Sequence, residues 1–156
     1  MKNDLQLINL KDSIKDVPTV FDLLYDEWNS YFRKTKEEKI KSTIKSFENN
    51  LKFPCFYIIK ENDSVVGVFS FEEYEIENEN SALLRYVLIK PELRGKGYGK
   101  FLLESIDKVA SENYDVVYLY TSLNNFYEKI GYSFVKLHKR ESGEINRLYM
   151  KNYKHG

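Results

Sequence analysis

Tyr86-Val-Leu-Ile-Lys-Pro-Glu-Leu-Arg-Gly-Lys-Gly-Tyr-Gly-Lys-Phe-Leu-Leu103 decides how this chain is read. An apolar run ending at Ile89 reads as a strand. Glycines at 95, 97 and 99 make a loop, and an apolar stripe at helical spacing follows from Tyr98. The first turn of a helix leaves backbone N–H groups unpaired, and the helix dipole puts positive potential there. Glycines let the main chain approach an anion without an intervening side chain. Arg94, Lys96 and Lys100 flank the loop, so the stretch points to a phosphorylated ligand. A plain glycine-rich connector would share the glycines but not the basic flanks.

Two familiar phosphate loops do not fit. A P-loop needs Gly-Lys-Ser/Thr five residues after its first glycine, and Lys100-Phe101 stands there. A dinucleotide fingerprint needs a glycine three residues after Gly97, where Lys100 stands again.

Upstream, Leu5–Leu10 alternates as a strand. Ser13 or Asp16 can cap a helix carrying Val20, Phe21, Leu23, Leu24, Trp28 and Tyr31, and Thr35 caps a second with Ile40, Ile44 and Phe47. Phe56–Ile59 and Val65–Phe71 read as a hairpin about Glu61–Ser64, and a polar turn over Glu75–Asn80 leads to the strand Leu83–Ile89. Downstream, the helix Tyr98–Ser111 buries Phe101, Leu102, Ile106 and Val109. Val116–Tyr120 reads as a central strand, and Asn124–Ile130 as a short helix stopped by Gly131. Strands over Tyr132–Leu137 and Ile145–Lys151 turn at Ser142-Gly143.

The bulk numbers narrow the class. A chain of 156 residues with 42% hydrophobic and 15% aromatic residues fits one folded domain, 1–156. Lys plus Arg and Asp plus Glu are 24 each, which argues against a nucleic-acid or anionic-membrane partner. The single cysteine, Cys55, lies in an apolar run and reads as a core thiol. With His138 and His155 outside any partner motif, no metal site is expected. No membrane-length apolar stretch or signal-peptide segment is present, so a cytoplasmic location is expected.

A second motif follows the central strand: Asn124-Asn-Phe-Tyr-Glu-Lys-Ile-Gly-Tyr132. Together with Arg94-Gly-Lys-Gly-Tyr-Gly99 it resembles the paired motifs of the GNAT superfamily of acyl-CoA-dependent N-acetyltransferases. Arg94, Gly97 and Gly99 match the first pattern; Phe126, Tyr127, Gly131 and Tyr132 match the second. The resemblance extends over about Val65–Tyr132. It implies an α/β fold whose mixed, mostly antiparallel sheet splays between its fourth and fifth strands and is flanked by helices. With Leu23-Leu-Tyr-Asp-Glu-Trp28, the motifs look like the branch of the actin N-terminal acetyltransferase and its bacterial relatives.

The resemblance also implies a site. Acetyl-CoA would be the donor, its diphosphate on Arg94, Gly95, Lys96, Gly97, Tyr98, Gly99 and Lys100, and its amide-bearing arm on the main chain of Leu88 and Ile89. Asn124 or Asn125 could bond that arm. Tyr127 matches the residue proposed to protonate the departing thiolate. The reaction implied is attack of a neutral primary amine, from a small molecule or a peptide N-terminus, on the thioester. A monomer or homodimer is expected; Ile145–Lys151 reads as an exposed strand, and the sequence does not say whether it pairs subunits.

The acceptor side departs from the family pattern. Many members carry a glutamate on the strand before the glycine loop, where this chain has Arg85. Glu27, Glu72, Glu73, Glu75 or a water chain could accept the proton instead. Arg85 suits either an acidic group on the acceptor or an ion pair. Trp28 could line the acceptor mouth or belong to the core. The run Glu72, Glu73, Glu75, Glu77, Glu79 could draw in a cationic amine, or form a solvated hairpin tip. A non-catalytic acyl-CoA-binding module of the same fold is the alternative function.

Overall fold

The computed structural model describes residues 4–123 and 125–154. In chain order it has β1 (Leu5–Asn9), α1 (Val17–Trp28), α2 (Lys36–Glu48), β2 (Cys55–Glu61), β3 (Ser64–Ile76) and β4 (Glu79–Ile89). Then follow α3 (Tyr98–Asn113), β5 (Val116–Thr121), β6 (Ser133–Lys139) and β7 (Ile145–Asn152). Single 3-10 turns fill several of the connections.

The strand order is β1-β2-β3-β4-β5-β7-β6. β4 and β5 run parallel, while β1–β2, β2–β3, β5–β7 and β6–β7 are antiparallel, as the resemblance implied. The parallel ladder covers only Ala82–Leu84 against Val117–Leu119, so most of β4 lies outside it.

The chain divides into two compact units: residues up to Phe71 with Tyr86–Gly99, and Glu72–Arg85 with the chain from Lys100 onward. In the first, Leu10, Val20, Phe21 and Leu24 join Phe56, Ile58, Val68 and Leu88 in an apolar core. Helix α2 begins with the expected cap. Thr35 accepts from the Glu38 N–H, and Glu38 accepts from the Thr35 N–H, satisfying two orphan donors. Asp16 precedes α1 without capping it. Its carboxylate instead accepts from Ser13 and from the Lys60 ammonium at 3.0 Å, in a pair 13% and 6% exposed.

In the second unit Ile76, Leu83 and Leu148 form a small core with Tyr118 and Tyr120 against it. β6 ends the strand order and is exposed along almost its full length. A bulge near Val135 sets Phe134 opposite Tyr149 and Leu137 opposite Arg147. Phe134, Leu137 and Ile145 therefore share one face, and all are more than half exposed.

Three expectations are corrected. The turn expected over Glu75–Asn80 is much tighter: β3 runs to Ile76, and Glu77 and Asn78 turn with φ of 51° and 68°. Positive φ at both central residues suits the right-handed twist of a hairpin. Glu72, Glu73 and Glu75 thus lie in a strand. The short helix expected over Asn124–Ile130 is one 3-10 turn, Tyr127–Ile130, before Gly131 at φ 90°. β7 is covered on both sides by β5 and β6, so β6 is the strand at that edge.

Candidate functional site

In the first unit, β4 ends at Ile89 and Pro91–Leu93 makes a 3-10 turn. The main chain then passes through Gly95 at φ 77° and Gly97 at φ 89° before α3 starts at Tyr98. Those angles are the left-handed region, which glycine enters without steric cost. Gly99 lies inside the first turn of α3, where glycine costs about 1 kcal/mol relative to alanine. A Cβ there would meet nothing within 4 Å. Packing does not require the glycine, and the space left above the helix start suits an anion lying on its N–H groups.

Side chains tie this loop down. Arg94 donates from Nε to the Ile89 carbonyl at 2.9 Å and from Nη2 to Glu27 Oε1 on α1 at 2.8 Å. The Tyr98 hydroxyl donates to the Glu61 carboxylate, 2.9 Å from Oε1, and this bond holds the phenol's pKa above its ordinary value. Lys96 and Lys100 are exposed. Leu88 is buried and Ile89 half-buried; a Cβ on Gly67 would lie 3.3 Å from the Leu88 carbonyl, so β3 approaches β4 closely there.

Trp28 packs against the core rather than standing in solvent, its ring 6.3 Å from that of Tyr86. Tyr86 itself has φ of 56°, a strained conformation for a bulky side chain. Its ring stacks on Phe32 at 5.6 Å and Phe56 at 6.2 Å. Sequence reasoning missed this residue, because nothing in Arg-Tyr-Val announces a left-handed backbone.

In the second unit, Tyr127 opens its 3-10 turn with 7% of its surface exposed. Phe126 and Tyr132 meet its ring edge-on at 4.9 and 6.2 Å. Burial raises its pKa well above the ordinary tyrosine value. Gly131 stops the turn under Lys151, whose ammonium donates to the Ile130 carbonyl at 2.7 Å and to Asp107 at 2.8 Å. Asn124 lies outside the described residues; Asn125 is exposed at φ 59°.

The structure brings Arg85 to Glu72, Nη1 to Oε2 at 2.7 Å, so the ion-pair reading of Arg85 is realised. Glu73 is exposed and alternates to the other face of β3. On the Glu72 face, Tyr74 meets Tyr120 edge-on at 6.3 Å, and His138 lies 4.6 Å from Tyr120. Tyr74, Tyr120 and Asn146 were not among the expected site residues. A ring contact brings Tyr74 to Tyr120, and Asn146 stands opposite His138, neither of which a local motif marks. No cluster of metal-binding side chains occurs among the described residues.

Among the described residues, no helix is long and apolar enough to cross a membrane. Residues 52–134 match the family model of the acetyltransferase (GNAT) domain. No curated protein matches the chain. Among solved structures, the fold is similar to a spermidine N-acetyltransferase from Vibrio cholerae in complex with CoA and spermine. That match has 17% identity and a TM-score of 0.74, over 96% of this chain and 95% of that one. It is also similar to a GNAT-family acetyltransferase from Streptococcus pneumoniae, with 16% identity and a TM-score of 0.71, over 96% and 99%. An N-acetyltransferase from Staphylococcus aureus Mu50 matches with 14% identity and a TM-score of 0.66, over 96% and 98%. At these identities the likeness concerns the fold, whereas the family model covers more than half of the chain. The chain belongs to the GNAT acetyltransferases, acyltransferases whose donor is acetyl-CoA.

Proposed function

We propose that this protein transfers an acetyl group from acetyl-CoA to a neutral primary amine by direct attack on the thioester. The open space over Gly99, at the start of α3, is the observation that carries the reading. Acetyl-CoA supplies the acyl group, activated as a thioester. The N–H groups of Gly95–Gly99 and the first turn of α3 bind the diphosphate, and Lys96 and Lys100 add positive charge. Arg94 joins them when it leaves Glu27. The main chain of Leu88 and Ile89 pairs with the amide-bearing arm, and an N–H near Leu88 polarises the acyl carbonyl.

Tyr127 holds a proton at Oη for the departing thiolate. Burial makes the phenol a weaker acid, but it also makes a thiolate a stronger base, so the two shifts offset. The base that neutralises the incoming ammonium is a carboxylate or a water chain on the acceptor side. Glu73 is the exposed candidate there, since Glu72 is held by Arg85.

The acceptor is a small-molecule amine or a peptide N-terminus. The fold's similarity to a spermine-bound enzyme supports the first, and the likeness of Leu23–Trp28 to the actin N-terminal acetyltransferase branch supports the second. The rival reading, an acyl-CoA-binding module without turnover, draws support from Arg85, paired with Glu72, standing about where the resemblance implies a glutamate in many family members.

One experiment separates them: follow thermal stability while titrating acetyl-CoA, then measure thiol release across amines and peptide N-termini. Stabilisation with turnover is expected. Stabilisation without turnover on any acceptor would favour the binding module, and no stabilisation would remove both readings.

A further inference from the structure

Tyr127 stands on a single 3-10 turn, Tyr127–Ile130, and Phe126 at its N-cap has no side-chain oxygen to offer. So short a helix holds few hydrogen bonds of its own, and its shape depends on what surrounds it. Neighbouring groups fasten it. The Tyr132 N–H donates to the Tyr127 carbonyl at 3.2 Å, and the Lys151 ammonium donates to the Ile130 carbonyl at 2.7 Å.

Two rings meet that of Tyr127 edge-on, and they differ in what holds them. Phe126 is half-buried, with the Lys129 ammonium 5.9 Å from its centroid. Tyr132 is 2% exposed and carries a hydroxyl that the interior must satisfy. The Tyr153 hydroxyl donates to it at 3.0 Å. The Asp107 carboxylate on α3 is a second acceptor for that same Tyr153 proton, and it also receives the Lys151 ammonium at 2.8 Å. Tyr153 is buried too, and its N–H donates to the Asp115 carbonyl at 2.6 Å.

These contacts close a loop. From the Ile130 carbonyl they run through Lys151, Asp107, Tyr153 and Tyr132 back to the Tyr127 ring. Every member lies in the second unit. Phenylalanine at 132 and 153 would fill nearly the same volume and spare two hydroxyls their desolvation. What the hydroxyls add is orientation. Apolar burial is non-directional, whereas a satisfied buried network rigidifies one arrangement. A reacting group displaced by about 1 Å can lose about a hundredfold in rate.

We propose that Tyr132 and Tyr153, anchored on Asp107, are positioning residues that fix the Tyr127 ring for proton transfer. This rests on the reading of Tyr127 as the acid. The network orients that phenol and does not carry its proton.

Tyr132→Phe tests this cleanly, because it leaves the Tyr153 proton on Asp107 and strands no buried donor. The acceptor is whichever of alaninamide and 1,4-diaminobutane is acetylated faster. The variant should lower kcat about tenfold, with KM for acetyl-CoA and for the amine within about twofold of wild type. Its melting temperature should stay within a few degrees. In a Tyr127→Phe background, Tyr132→Phe should change kcat by less than about twofold, since no hydroxyl is left to aim.

An unchanged kcat in Tyr132→Phe, or equal losses in both backgrounds, would overturn the proposal. So would a loss of kcat that arrives with a raised KM and a lowered melting temperature, which would make Tyr132 a packing residue. Full kcat in Tyr127→Phe would remove the acid reading by itself, and absence of turnover would remove the acetylation reading. In either case ring motion decides. With isotope-labelled tyrosine, the NMR signals of Tyr127 are those missing from Tyr127→Phe. Its ring should flip about tenfold more slowly in wild type than in Tyr132→Phe, because the hydroxyl network holds its neighbour. Equal flip rates would dismiss the proposal.

Discussion

Arg94 Nη2 donates to Glu27 Oε1 at 2.8 Å, so the residue that heads the glycine loop is held by the last turn of α1. The same guanidinium caps the Ile89 carbonyl through Nε at 2.9 Å. The pair is partly exposed, 46% and 30%, so its direct contribution to stability is within about 1 kcal/mol. Its importance lies in competition, because a diphosphate on the loop and Glu27 claim one guanidinium.

Glu27→Gln should therefore tighten acetyl-CoA binding by a few-fold at low salt, with a melting temperature within a few degrees of wild type. Titration calorimetry at two salt concentrations reads this. Weaker binding in the variant would mean that Glu27 holds Arg94 in its binding position instead.

Gly99→Ala should separate stability from function. The added methyl meets nothing within 4 Å and relieves a helix-interior glycine, a gain of up to about 1 kcal/mol. Acetyl-CoA affinity should fall about tenfold or more. A variant more stable and equally tight would show that nothing lies over the start of α3.

Tyr127→Phe should lower kcat by about a hundredfold while leaving acetyl-CoA affinity nearly unchanged. Burial raises the pKa of this phenol, so activity should not decline between pH 8 and 10 through loss of its proton. A parallel loss of affinity and kcat would assign Tyr127 to packing alone.

Alkaline pH should destabilise the fold. Tyr127, Tyr132 and Tyr153 all have raised pKa values, burial being the largest cause in each. Unfolded phenols ionise near about pH 10. Above that the unfolded chain holds fewer protons than the folded one, so stability falls as pH rises toward the folded values. Melting curves from pH 8 to 11 should show the decline starting near pH 10, and Tyr127→Phe should reduce it. A flat profile would mean that these phenols titrate as exposed ones.

The Asp16–Lys60 pair sets the acid limb. Burial pushes the Asp16 pKa up, yet bonds from Ser13 and Lys60 outweigh it and hold the carboxyl below its ordinary value. Its contribution is present above the unfolded pKa and is lost as pH falls through the folded one. Lys60→Met should cost about 3 kcal/mol by stranding a buried carboxylate, read by urea denaturation at pH 7. A loss under about 1 kcal/mol would show that water still reaches Asp16.

The glycine loop, α3 and the Thr35 cap are legible in sequence because each rests on residues within a turn or two of one another. The apolar run Val116–Tyr120 likewise announces its strand. The hairpin over Glu77-Asn78 is not, since Glu-Asn lacks the glycine that usually marks positive φ. Tyr86 is hidden for a different reason: its backbone is held by aromatic partners at positions 32 and 56, far away in sequence. Asn146 sits among Glu144, Ile145 and Arg147 and reads as a polar hairpin end. It is nevertheless buried, 6% exposed, on an interior strand opposite His138, a pairing that no local motif marks.

The edge strand carrying His138 bears on handling the protein in solution. β6 ends the strand order with Phe134 and Leu137 exposed, and Ile145 of β7 stands on the same face. Such an edge is a template for another chain's strand. Lys139, opposite Ile145 on that face, opposes self-stacking by charge, and charge repulsion is short-ranged, reaching about 8 Å at physiological ionic strength and about 3 Å at 1 M. Concentrated stocks should therefore clump as salt is added, the reverse of a protein protected by a paired edge, and light scattering along a salt series measures it. Low ionic strength, rather than a stabilising additive, is the condition that keeps this molecule dispersed.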